Sequence, residues 1–309
     1  MTQQQDREGR VFPLADTHKR YNTYDAWLKS TFGGKCAKIP LDAGFTCPNM
    51  DGRCGVGGCI YCSGRGSGDF AESSVVPLRE QYDRQREFLA QKWPTERCIP
   101  YFQARTNTYA PVAVLRPIFE EALTWPGVVG MNIATRADCL PEETVSLLRE
   151  LSERTVLTVE LGLQTVHPDS IQYIRRGYEN HVYFDAVRRL RGAGIEVVTH
   201  IILGLPGETP EMAVQTTKAA VAAGTDGVKF HLLHVLQGTD LAKDYAAGKF
   251  ECLTLEEYGS WLKQCIAALP AHITVHRITG DGAKRDLIAP LWSADKKRVL
   301  NYLNSLFNK

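Results

Sequence analysis

At 309 residues, 44% of them hydrophobic and with a net charge of +1, the chain can build one large domain or two small ones. The near-balance of charge excludes a globally basic nucleic-acid binder, so any such contact must come from a local patch. There is no apolar run of transmembrane length and the N-terminal MTQQQDREGR is polar, so a soluble, cytoplasmic chain with no membrane contact is expected.

Residues 1–20 read as a flexible segment. From there, short apolar or β-branched runs alternate with stretches whose apolar residues recur every three or four positions. KCAKIPLDAG (35–44), CIPYFQA (98–104), GVVGMNIAT (127–135), TVLTVELGL (155–163), IEVVTHIILGL (195–205) and GVKFHLLHVL (227–236) are predicted strands. LREQYDRQREFLAQKW, VAVLRPIFEEAL, PEETVSLLRELSE, NHVYFDAVRRLRGA and TPEMAVQTTKAAVAA are predicted helices between them. LPEE puts proline at a first helical position with acids in the first turn, and Gly192, Gly194 and Gly224 suit helix ends. Six strand–helix units without hairpin turns predict a parallel sheet with helices outside. Six units are too few for a closed eight-stranded barrel, so an α/β fold of partial (β/α)6 TIM-like type is expected over residues 21–270. A C-terminal extension, 271–309, is expected to pack on it. In either a barrel or an open sheet the ligand site lies at the C-terminal ends of the strands.

The stretch CPNMDGRCGVGGCIYC (47–62) holds four of nine cysteines and follows the first strand. Its loop is rich in glycine, which allows close wrapping around a compact inorganic body. An odd number of cysteines in a cytosolic chain argues against a disulfide framework. The residues leave zinc, a redox pair and an iron–sulfur cluster open. The spacing has only one tight pair, Cys59-x2-Cys62, where structural zinc commonly uses two. Cys36, Cys98, Cys139, Cys252 and Cys265 are scattered and read as buried small hydrophobes.

Taken in order, IPLDAGFTCPNMDG, GGCIYCSGRGSGDF, YFQARTNTYAP, TRADCL, VELGLQT, HIILGLPGET and ITVHRITGDG…IAPLW resemble the YhcC/YtqA family of radical S-adenosylmethionine (radical SAM) proteins, relatives of the Elongator catalytic subunit. The resemblance runs from about residue 20 to the end. It implies a [4Fe–4S] cluster held by Cys47, Cys59 and Cys62, spaced C-x11-C-x2-C rather than the usual C-x3-C-x2-C, with Cys54 in the spacer; the competing triad is Cys54, Cys59 and Cys62, spaced C-x4-C-x2-C. It also implies S-adenosylmethionine bound to the open iron and an external one-electron reductant of flavodoxin or ferredoxin type. On this reading Gln103 and Asn107 bind the methionine amine, Glu160 and Gln164 accept from the ammonium or a ribose hydroxyl, and Arg176 clamps the carboxylate. His200 and Leu205 line ribose and adenine, and Tyr61 adds an apolar wall. Arg175 and Arg176 also read as a solvated helix end, and Arg136 with Asp138 as a local ion pair or a substrate-facing group. His231 and His234 are expected on opposite strand faces. Glu160, a carboxylate in an apolar strand, requires a partner. The family resemblance suggests a tRNA wobble uridine as substrate, in a carboxymethylaminomethyl to aminomethyl type of step. Basic residues Lys284, Arg285, Lys296, Lys297, Arg298 and Lys309 give the C-terminal segment a local excess over Asp281, Asp286 and Asp295, and the N-terminal segment adds Lys19, Arg20, Lys29, Lys35 and Lys38; on one face these would follow phosphates, the alternative being an ordinary solvated surface. A small metabolite or protein side chain as substrate, and a zinc-stabilised binding barrel, are the alternatives.

Overall fold

The computed structural model describes residues 19–307 except 67, 69, 70, 93, 94, 281 and 283. The segment 1–20 thus lies outside the described residues but for its last two, as do Asp281 and Lys309 of the basic C-terminal tally. The elements run β1 (Asn22–Thr23), α1 (Tyr24–Phe32), β2 (Ala37–Leu41), α2 (Leu78–Ala90), β3 (Cys98–Phe102), α3 (Val112–Leu123) and β4 (Gly130–Thr135). They continue with α4 (Glu142–Ser152), β5 (Val156–Gln164), α5 (Pro168–Ile174), α6 (Asn180–Gly192), β6 (Glu196–Leu203), α7 (Pro210–Ala223) and β7 (Gly227–Leu232). The chain ends with β8 (Val235–Leu236), α8 (Asp240–Ala246), α9 (Leu255–Ala267), β9 (Thr274–Arg277), β10 (Leu287–Ala289) and α10 (Lys296–Phe307).

The main sheet has the order β1-β9-β7-β6-β5-β4-β3-β2, parallel throughout, and curls into a partial barrel open between β1 and β2. Strands β2 to β7 are the six expected from the sequence. The C-terminal extension does more than pack on them, because β9 pairs with β7 and carries β1 at the sheet edge. Some helix ends have identifiable local caps. Thr209 accepts from Met212 N before Pro210, and Gly224 ends the same helix, α7, at φ 95°. Thr254 and Glu257 close a reciprocal capping box on α9. Pro141 stands one residue outside α4, at the cap, with Glu142 and Glu143 in the first turn. Among the described residues no helix is long and apolar enough to cross a membrane.

Strand alternation decides what faces the interior. In β5, Leu157, Val159, Leu161 and Leu163 join the hydrophobic core under the helices. The alternate residues Glu160, Gly162 and Gln164 line the barrel cavity. Ile39 and Leu41 of β2, and Val228, Phe230 and Leu232 of β7, pack outward in the same way. Lys38 and Lys229 therefore point inward.

Candidate active site

The cysteine stretch folds as a pinched loop after β2. Asp51 and Val56 form an antiparallel bridge, Cys54 N donates to the Pro48 carbonyl (2.8 Å), and Gly58 N to the Asn49 carbonyl (2.8 Å). The excursion is closed off at its base, so the long spacer still brings Cys47 beside Cys59. Gly58 sits at the pinch with φ 81°, a left-handed conformation that favours glycine, whereas a Cβ there would meet Met50 Cγ only at an ordinary contact distance of 3.4 Å. A turn with Cys62 N donating to the Cys59 carbonyl (2.9 Å) presents the last two thiols. Its backbone is fixed by Ile60 N to the Ile174 carbonyl and by Leu241 N to the Ile60 carbonyl. Arg53 near the excursion's tip stacks on the Tyr109 ring at 5.6 Å.

Cys47, Cys59 and Cys62 line one cavity of about 880 Å³ at the C-terminal edge of the sheet, whereas Cys54 is exposed on the excursion. That volume lies in the range of small-molecule sites. Buried Asn49, which sequence reasoning missed, donates from Nδ2 to Cys59 Sγ (3.4 Å) and to the Arg175 carbonyl. Burial pushes the Cys59 thiol up, while Arg136 and the Asn49 hydrogen bond pull it down. Arg136 lines the cavity and makes a bidentate pair with Asp138 (Nε–Oδ1 2.9 Å, Nη2–Oδ2 2.8 Å), so the local ion pair expected from TRADCL is present. Among the described residues no three His, Cys, Asp or Glu side chains gather tightly enough for a single metal ion. Three thiols spread around one glycine-rich cradle suit a polynuclear cluster, whose ligands stand further apart, and are soft donors of the type that iron–sulfur clusters use. Of the remaining cysteines, Cys98, Cys139 and Cys265 are buried as expected, but Cys36 and Cys252 are only half-buried.

Below the cysteine loop a charged layer crosses the barrel. Glu160, 1% exposed, is salt-bridged by Lys38 from β2 and Lys229 from β7. It also accepts from Tyr101 OH (2.7 Å) and Asn132 Nδ2 (3.1 Å) and meets His200 Nε2 at 2.9 Å. Burial alone would raise its carboxyl; Lys229, Lys38 and His200 outweigh it and hold the group well below the usual carboxylate range. Burial brings His200 down to about 4 and His231 well below its ordinary value, so both rings are neutral near pH 7. The partner that an apolar-strand carboxylate demanded is thus two lysines: Lys229, not singled out in the sequence, and Lys38, counted from the sequence among phosphate-following bases but turned into the barrel. Their signal was legible in form: each is a lone charge in an otherwise apolar strand.

The other expected site residues divide. Tyr61, Gln103, Glu160, Gln164, Arg176 and His200 line the cavity with the cysteines. Gln164 adopts φ 60°, and a Cβ at Gly162 would collide with its side-chain amide. Asn107 is fully buried and ties β3 to β4, donating from Nδ2 to the Phe102 (3.0 Å) and Ala134 (2.9 Å) carbonyls. Leu205 lies in an apolar cluster with Ile60, Ile174 and Ile202 beneath the Cys59–Cys62 turn. Arg176 is neither a solvated helix end nor a free clamp. It is 1% exposed, and its donors reach the Leu163, Thr165 and Tyr178 carbonyls and Asn180 Oδ1 at 2.8–3.0 Å. With every N–H engaged, it fixes the backbone after β5 instead of offering a fork to a carboxylate. Arg175 is exposed and pairs with Asp240. His231 and His234 do not lie on opposite faces, because β7 stops at Leu232; both border Gly280 in an adjoining recess.

A family model described as Radical SAM superfamily matches residues 51–220, and one described as Radical_SAM C-terminal domain matches residues 225–309. The uncharacterized protein YtqA of Bacillus subtilis (strain 168) is 46% identical over 297 residues, 96% of this chain and 92% of that protein. A protein named tRNA uridine(34) acetyltransferase from Methanocaldococcus infernus is 26% identical over 199 residues, 63% of this chain and 36% of that protein. Among solved structures, the archaeal Methanocaldococcus infernus Elp3 with an N-terminal deletion superposes with a TM-score of 0.62 at 19% identity, covering 87% of this chain and 63% of that one.

Proposed function

The chain belongs to the radical SAM superfamily, and from that premise we propose that it is an enzyme that binds a [4Fe–4S] cluster through Cys47, Cys59 and Cys62, cleaves S-adenosylmethionine reductively, and modifies a tRNA wobble uridine. The observation that carries the cluster assignment is the shared cavity: three thiols of the loop after β2 open into it while Cys54 stands outside. When bound, these cofactors supply one-electron C–S bond cleavage and with it a hydrogen-abstracting 5′-deoxyadenosyl radical, the electron coming from an external flavodoxin- or ferredoxin-type donor. The chain's own residues hold, orient and exclude water. Asn49 and Arg136 steady the thiolates, Gln103 and Gln164 offer donors and acceptors to S-adenosylmethionine, and Tyr61 supplies an apolar wall. Arg176 and Asn107 serve the same site indirectly, by fixing the strand ends on which those groups stand.

For the substrate, support comes from the relative named as a tRNA uridine(34) acetyltransferase and from cations of the cavity wall outside the charged layer, among them Lys92, Arg105 and Lys296. Such a wall suits a polyanion held at the rim with one nucleotide inserted. The test is anaerobic reconstitution followed by iron analysis and 5′-deoxyadenosine assay, with nucleoside analysis of tRNA from a deletion strain. About four irons per chain, S-adenosylmethionine cleavage and an accumulated unfinished 5-substituted uridine are expected. Unchanged wobble nucleosides would remove the tRNA assignment and leave the enzyme class standing.

A further inference from the structure

The charged layer lies deep. Lys38, Glu160 and Lys229 precede the C-terminal ends of β2, β5 and β7 by three, four and three residues, about 10 Å below the rim that carries the cysteines. Two ammonium groups there share one carboxylate. Arg277 also lines this cavity, as do the rings of His231 and His276. His231 Nε2 and His276 Nδ1 are buried without a hydrogen-bond partner among the described residues. Buried surplus charge and orphaned ring nitrogens are both costly unless something answers them. One carboxylate-sized anion answers both: with Lys38 and Lys229 protonated and Glu160 ionised, it brings those groups to neutrality.

We propose that the floor of the barrel is a subsite for an anionic group of the substrate, best matched by a carboxylate, held by Lys38 and Lys229 with His231 and His276 alongside. The assignment deepens the enzymatic reading above and rests on it for calling the occupant a substrate. It narrows the substrate class to molecules with a negatively charged substituent long enough to extend past the cofactors at the rim. Burial draws Lys229 well below the usual ammonium range in the empty barrel, so an entering anion also secures its proton.

The probe is carbon-13-labelled acetate, titrated into reconstituted enzyme saturated with S-adenosylmethionine and kept without reductant, so that the cofactor's own carboxylate is already in place. The readouts are acetate line broadening and the shift in thermal unfolding midpoint. Saturable binding of acetate, with acetamide and chloride inert, is expected in the native protein. Lys229→Met and Lys38→Met should each weaken it about tenfold or more, and Lys218→Met, an exposed control, should not. Should a floor variant fail to fold, the acetate-against-acetamide contrast in the native protein still decides. Absence of saturable acetate binding, or native-like binding in both floor variants, overturns the subsite. Acetate that binds only when S-adenosylmethionine is omitted overturns it too, because the floor would then be the cofactor's own carboxylate site. Failure of the radical SAM reading shows separately, as protein without iron and without 5′-deoxyadenosine formation whatever acetate does.

Discussion

Glu160 concentrates the electrostatics of the barrel in one side chain. Replacing it by glutamine keeps the shape but leaves Lys38 and Lys229 facing each other in a desolvated layer. Breaking a buried pair from one side costs about 3–5 kcal/mol, so Glu160→Gln should lower the urea midpoint substantially at pH 7. A change under 1 kcal/mol would mean that Lys229 simply sheds its proton. His200 makes the layer sensitive to acid. Its imidazole is brought from 6.5 to about 4 by burial, outweighing the Glu160 hydrogen bond. Between those values the unfolded chain binds a proton that the folded chain does not, so stability falls as pH drops through this window. The 2.5-unit gap corresponds to at most about 3 kcal/mol. Denaturation at pH 7 and pH 5 should show about 2 kcal/mol of this loss from His200 in the native protein, with a slope shallower by about one proton in His200→Gln. Identical slopes would assign the acid sensitivity elsewhere.

The cysteine loop shows how an unusual spacing is accommodated by local backbone chemistry. The Asp51–Val56 bridge and the Gly58 N to Asn49 hydrogen bond remove the spacer from the path between Cys47 and Cys59. Gly58→Ala would put a Cβ on a backbone held at φ 81°. That strain is about 1–2 kcal/mol, enough to spread the thiols. Iron retained after anaerobic reconstitution should fall sharply in Gly58→Ala and stay native-like in Gly64→Ala, where a Cβ meets nothing within 4 Å. The six strands and the inward thiols were legible in the sequence because periodicity and turn residues act locally. The function of Arg176 was not, since its acceptors are backbone carbonyls brought to it by the end of β5 and the start of α6. Nor were Lys38 and Lys229, because a lone lysine in a strand says which face it occupies only once the core face is known. The merging of β9 into the main sheet depends on α9 bringing HITVHRI back alongside β7, a pairing set by packing and not by pattern.

At the scale of the whole molecule, the C-terminal segment connects the barrel's stability to its rim. Helix α10 buries Val299, Leu303 and Phe307, and Gly259 of α9 lets Tyr302 and Leu306 come close. Its opposite end is different. Lys296, Lys297 and Arg298 are exposed at the N-terminus, where the helix dipole is already positive, and Lys296 borders the same cavity as the cysteines. Three cations at a positive helix end are unfavourable for the helix alone, and with Lys296 bordering the cavity they fit the proposed electrostatic contact with a polyanion. Reversing all three to glutamate should weaken tRNA binding and lower the slope of log K against log salt by up to about 2–3, since each phosphate contact contributes about 0.7–0.9. Cluster content and uncoupled S-adenosylmethionine cleavage should be unchanged, because none of the three is buried in the α9–α10 interface. Helicity and thermal midpoint equal to the native protein's would confirm that the variant folds. Undiminished tRNA affinity in that folded variant would move the proposed RNA contact away from α10, toward other cations of the cavity lining such as Arg84 and Lys92, and the same salt titration on variants of those two would test them.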